Sequence, residues 1–96
     1  MKFAWDETKN RANRRKHGVS FETASLVFTD PFARMLHDRV VDGEPRWQAI
    51  GRVADELVLV VAHTVRSQDD EGVIRIISAR KALKQERKRH EEQSYD

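Results

Sequence analysis

The 96-residue sequence contains no cysteine, which excludes a disulfide framework, a thiolate metal site and a cysteine nucleophile. Glycine is scarce and dispersed: Gly18, Gly43, Gly51 and Gly72 stand singly, each reading as a cap, turn or strand glycine and none belonging to a Gly-rich phosphate loop. Nucleotide hydrolysis therefore has no support. No apolar run approaches the roughly 20 residues that a membrane helix requires. Met1 to Asp6 lacks the basic segment followed by an apolar stretch of a secretory signal, so a cytoplasmic location is expected. The four histidines, His17, His37, His63 and His90, show neither an i,i+4 helical pair nor carboxylates at ligand spacing, so no metal site and no cofactor are expected. Serine occurs without a nucleophile-elbow pattern.

Charge is abundant, at 35% of residues, and its net value of +2 conceals an uneven distribution. Residues 1–17 carry six Lys/Arg and two acids, and residues 79–96 carry six and four, so both ends are basic. Residues 18–78 carry ten acids and six cations, and all six cations are arginine. Arginine offers a planar fork that matches phosphate. It also tolerates partial burial on a sheet, so composition alone leaves both roles open.

One domain spanning residues 1–96 is expected, with a frayed tail from about residue 93. A short strand-prone stretch, Lys2 to Trp5, precedes Asp6, a good N-cap for a helix over residues 7–17 that Gly18 would close. That helix has one apolar side chain, Ala12, so Phe3, Trp5, Val19 and Phe21 at its flanks are expected to anchor it. Ser20 caps a second helix carrying Phe21, Ala24, Val27 and Phe28 on one face, and Asp30-Pro31 stops it. Strands follow at 32–41 and 46–53 around a turn through Asp42-Gly43-Glu44-Pro45. Residues 57–62, Leu-Val-Leu-Val-Val-Ala, form an unbroken apolar run, as in a strand covered on both faces, and are expected at the sheet centre. An acidic loop over 67–71 leads to a last strand at 73–78, and Ser78 is expected to cap a final helix over 79–92. The sum is an α+β fold: two N-terminal helices, an antiparallel meander and a C-terminal helix.

The candidate chemistry lies in arginine and histidine near strand ends. Alternation places His63 on the opposite face from Thr64 and Arg66. Arg75, inside Val-Ile-Arg-Ile-Ile, is costly unless it reaches a ligand or an acid such as Glu22 or Glu86. Arg80, Lys81, Lys84, Arg87, Lys88 and Arg89 make the last helix basic, which suits a solvated face or a phosphate backbone. Cations and a proton acceptor suffice to cleave RNA without metal, because the 2′-hydroxyl is the nucleophile.

Several motifs in order resemble the BrnT family of toxins from bacterial type II toxin-antitoxin systems. They are Phe3-x-Trp5-Asp6-x-x-Lys9, Asn13-x-x-Lys16-His17-Gly18-Val19-Ser20-Phe21-Glu22-x-Ala24, Val27-Phe28-x-Asp30-Pro31, Arg46-Trp47-x-Ala49-Ile50-Gly51-Arg52, Val60-Val61-x-x-Thr64-x-Arg66, and Ile74 to Ala82 with Glu86-Arg87. The resemblance implies a RelE-like fold, a metal-independent endoribonuclease that arrests translation, and neutralisation by a BrnA-type antitoxin. The resemblance further implies that the complex, a hetero-oligomer for which 2:2 is one composition, represses its own operon through operator DNA. On these motifs Arg66, Arg75 and Arg80 are expected to hold the phosphate, and His90 or His63 to move protons. Arg52, Lys81, Arg87 and Lys16 are expected to bind RNA. His90 stands where the family usually has tyrosine. Two other readings stay open: a nucleic-acid or partner-binding co-repressor that does not cut, and an inactive toxin.

Overall fold

The computed structural model describes residues 1–55, 57–68 and 71–94. The side chains of residues 67, 68, 71, 93 and 94 lie outside that description. The chain is α+β, with strands β1 (Lys2–Ala4), β2 (Arg34–Val41), β3 (Glu44–Ala54), β4 (Leu57–Gln68) and β5 (Glu71–Lys81) and helices α1 (Glu7–His17), α2 (Phe21–Ser25) and α3 (Lys84–Ser94). The sheet order is β1-β5-β4-β3-β2. The apolar run of β4 is thus central, as its composition requires. The sheet is mixed and not a pure antiparallel meander, because β1 joins it parallel to β5, pairing Phe3 with Ile74. The connection from β1 to β5 runs through α1, α2 and the β2–β3–β4 meander, ample length for a parallel pairing.

Helix α1 forms where its caps dictate. Asp6 Oδ1 accepts from the N–H groups of Thr8 and Lys9 at 2.8 and 3.2 Å, and Gly18 ends the helix at φ 71°. Its docking is polar. Asn13 Nδ2 donates to the carbonyls of Val19 and Ala79 (2.9 and 2.8 Å), and its Oδ1 accepts from Ala79 N–H at 3.1 Å. The amide thereby mimics a strand residue on the stretch of β5 that β1 leaves open. Asn10 Oδ1 accepts from Phe21 N–H at 2.8 Å. Both asparagines are buried while Ala12 is exposed, so the flanking apolar residues alone do not seat this helix.

The second predicted helix splits into α2 and a 3-10 turn over Leu26–Thr29. Asp42 (φ 52°) and Gly43 (φ 78°) make the β2–β3 turn, both left-handed as a two-residue hairpin turn demands. Strand β5 continues through the residues expected to open the last helix, so α3 begins at Lys84 and Ser78 does not cap it. Ser78 is held as a strand residue opposite Ala62. The predicted acidic loop is shorter than expected, since β4 reaches Gln68 and β5 starts at Glu71. Part of the expected tail, residues 95 and 96, lies outside the described residues.

The two faces of the sheet are chemically different. One packs α1 and α2 through a core that includes Phe21, Val27, Leu59, Val61 and Ile76. Each such side chain, fully buried, stabilises the fold by roughly 1.5–3 kcal/mol. Gly51 is required here, because a Cβ would stand 2.8 Å from Val27 Cγ1 and 3.1 Å from its carbonyl oxygen. The other face holds a small cluster of Ile50, Val58, Val60 and Ala82, and α3 lies against that end of it.

Candidate active site

Register places arginines on the face opposite the main core. Val61 belongs to that core and His63 packs edge-on against Phe28 at 4.9 Å, so Thr64 and Arg66 point the other way. Arg75 pairs across the strands with Thr64 and Arg80 with Val60, which puts them on the same face. On β3 and β2, Arg39 lies opposite Arg46. The register that joins Trp47 to His63 brings Arg46 opposite Thr64. A row across four strands results: Arg39, Arg46, Thr64, Arg75. Arg66 stands one alternation further along, its Nε 2.8 Å from Glu44 Oε2.

The three arginines expected to grip one phosphate share the face but not a point on it. Arg66 and Arg80 are six strand positions apart, roughly 20 Å at about 3.3 Å per residue. Arg75 and Arg66 stay together at the end that α3 leaves open, and both are exposed. Arg80 belongs to the other end. It makes a two-pronged contact with Glu86 of α3, Nη1 to Oε1 at 2.8 Å and Nη2 to Oε2 at 3.0 Å. The hydrogen bond from Arg80 draws the Glu86 carboxyl below its usual value, with the Leu83 N–H adding to it and burial opposing.

The RNA-binding expectations divide in the same way. Arg52 reaches from β3 to Glu91 of α3 at 3.6 Å and so helps seat that helix, while Arg87 approaches the same carboxylate from within α3, one turn away, at 4.0 Å. Lys81 lies opposite Leu59, a core residue, and Lys16 is on α1, so both belong to the helix-bearing side. Arg75 makes no ion pair with an acid among the described residues, so the expected pairing with Glu22 or Glu86 is not found. Glu22 instead accepts from Asn10 Nδ2 at 2.7 Å.

Neither histidine is placed to act at the open end. His63 is 2% exposed and lies on the core side. Its Nδ1 sits 3.1 Å from the Val61 carbonyl. Burial pushes its pKa down against that hydrogen bond, which favours the neutral ring. It lines an apolar cavity of about 510 Å³ with Met35, Trp47 and Val65, where an unpaired phosphate charge would be poorly solvated. His90 is 1% exposed, and its Nε2 donates to Asp30 Oδ2 at 2.8 Å. That contact fastens α3 to the corner before β2.

Asp30 is a residue whose role the sequence did not disclose beyond stopping a helix. Its Oδ2 also accepts from Arg52 N–H at 2.7 Å and its Oδ1 from Phe32 N–H at 2.9 Å. Burial raises its pKa, but the Arg52 and Phe32 donors and the His90 ring outweigh that, leaving it below the usual carboxylate value. Stability from Asp30 is therefore complete above an unfolded value of about 4 and disappears as pH falls through the lower folded value. The urea midpoint of the purified chain is expected to drop below about pH 4, and an Asp30→Asn variant, weaker at neutral pH, is expected to show a shallower drop. An unchanged acid profile in the variant would place the titration elsewhere.

Among the described residues, no group of three or more His, Asp or Glu comes together as a metal-binding set, and no helix is long and apolar enough to cross a membrane. What the open end offers is a cationic surface with carboxylates at its margin, Glu44 beside Arg66 and Asp38 beside Gln48. Such a surface suits a polyanion.

Comparison with known proteins points the same way. A family model described as the ribonuclease toxin BrnT of type II toxin-antitoxin systems matches residues 5–86. The crystal structure of the Brucella abortus ribonuclease toxin BrnT is similar, with a TM-score of 0.64 and 27% sequence identity over 88% of this chain and 99% of that one. No curated protein matches significantly.

Proposed function

The chain belongs to the BrnT family of ribonuclease toxins from type II toxin-antitoxin systems, and from that premise we propose that it cuts RNA on the open arginine face without a metal ion. The observation that carries this reading is the exposure of Arg66 and Arg75 at the end of the sheet that α3 leaves uncovered. An RNA strand laid there brings a phosphate to both guanidinium groups. The 2′-hydroxyl attacks the adjacent phosphorus and the bond to the 5′-oxygen of the next nucleotide breaks. Glu44 takes the hydroxyl proton and the departing 5′-oxygen takes a proton from water, so the products are a 2′,3′-cyclic phosphate and a 5′-hydroxyl. The arginines stabilise the doubly charged phosphorane between them. The sheet and helices are read as a RelE-like arrangement, and loss of cytoplasmic message is the route by which translation stops.

A BrnA-type antitoxin is the proposed partner. An acidic segment of it would cover the same cationic face, and its DNA-binding part would carry the hetero-oligomer, of 2:2 composition, to operator DNA. A non-cutting co-repressor is the competing reading, favoured by the removal of both His63 and His90 from the open end. Incubation of a defined RNA with the purified chain in excess EDTA separates the two. Cleavage that persists with the chelator and stops when the antitoxin is added is the expected result. Intact RNA under those conditions would leave nucleic-acid binding, or cleavage only on the ribosome.

A further inference from the structure

At the centre of the arginine row, two polar atoms are buried without a hydrogen-bond partner: Thr64 Oγ1 and Arg46 Nε. Thr64 is 1% exposed. An orphaned buried hydroxyl costs about 1–3 kcal/mol, and an orphaned guanidinium N–H is at least as unfavourable. Nothing in β4 asks for that hydroxyl, because valine has the same shape and β-propensity and would fill the site without it. Both orphans lie at neighbouring register positions on one face, with Arg75 across from Thr64 on the other side. Arginine can only donate, and a threonine hydroxyl donates readily to an anion. The missing partner is therefore an acceptor-rich anion located between them.

We propose that Thr64 and Arg46 form the seat of the scissile phosphate, the Thr64 hydroxyl donating to one non-bridging oxygen and the Arg46 Nε–H to another. The assignment rests on the RNA-cutting reading above and narrows it. The phosphate is held over the middle of the sheet, in the Arg39–Arg75 row, and not beside Arg80 and α3. Arg66 and Arg75 flank it and supply charge, while Thr64 and Arg46 fix the position of the phosphorus.

Thr64→Val tests the assignment, because it removes only the hydroxyl. Cleavage of a defined RNA is expected to fall about 10- to 100-fold, with a melting temperature equal to or above that of the unaltered chain. Thr64→Ser, which keeps the hydroxyl, is expected to stay within a few-fold of the original rate. Arg46→Lys keeps the charge but loses the Nε donor, and is expected to weaken binding of a fully 2′-O-methylated, uncleavable RNA about 10-fold. Unchanged cleavage and binding in Thr64→Val and Arg46→Lys would overturn the seat. A lower melting temperature in Thr64→Val would overturn it as well, since the hydroxyl would then have a structural partner. If the unaltered chain binds the methylated RNA but cuts no RNA, the nuclease reading fails, and the seat is still judged by the binding ratios of the same variants.

Discussion

Asn13→Ala is expected to destabilise the chain by about 3 kcal/mol and lower its melting temperature by roughly 15 °C. The size follows from what the amide does. One side chain satisfies the Val19 carbonyl and both the N–H and the C=O of Ala79. Alanine would leave three backbone groups without their partner in a buried place, each costing about 1 kcal/mol or more. Against a typical total of about 5–15 kcal/mol, that is a large fraction. Exposed Ala12, one position away, supplies the control, since Ala12→Ser is expected to stay within about 0.5 kcal/mol. Urea unfolding followed by tryptophan fluorescence measures both. A loss below about 1 kcal/mol for Asn13→Ala would mean that the flanking apolar residues hold α1 after all.

The largest effect on activity is expected at Arg75. Replacing it with alanine should lower RNA cleavage about 10²- to 10³-fold, the usual consequence of removing one preorganised group from a developing anion. The fold should be indifferent, because Arg75 is exposed and joins no described ion pair. Arg75→Lys is expected to recover part of the loss, as a point charge replaces the planar fork. Arg80→Ala gives the contrast. Its guanidinium is committed to Glu86, and a partly exposed pair is worth only about 1 kcal/mol. The expected signature is therefore a modest drop in stability with a smaller effect on cleavage. Single-turnover rates and melting temperatures, measured together for the three variants, decide the matter. Equal losses of cleavage at Arg75 and Arg80 would return the site to the α3 end of the sheet.

Much of the architecture was legible because it depends on local chemistry. Asp6 and Gly18 mark the ends of α1, Asp42-Gly43 makes a hairpin turn, and the apolar run from Leu57 marks the central strand. The expectation that His63 faces away from Arg66 follows from strand alternation and holds, since His63 lies opposite core Ile76 and Thr64 opposite Arg75. Other features had no local signal. Asn10 and Asn13 read as ordinary polar residues on a helix, since their partners are Phe21 and Ala79 on other elements. The pairing of Asp30 with His90 spans 60 residues. Residues 79–81, Ala-Arg-Lys, favour a helix by local propensity, and pairing of β5 with β4 out to Lys81 opposite Leu59 overrides that preference in favour of strand.

Sequence by itself determined the family, the α+β class, the first helix, the central strand and the presence of strand-borne arginines, because caps, turn residues and hydrophobic period act over a few neighbouring positions. Which arginines share a place was decided only by the tertiary structure. Strand register fixes distance along a face, and register depends on partners far away in sequence. Arg66 and Arg75 face an open surface, Arg80 and Arg52 hold a helix, and the two orphaned atoms of Thr64 and Arg46 meet in the same row. Packing settled these roles because a charge takes its function from whatever acid, helix or solvent the fold sets beside it.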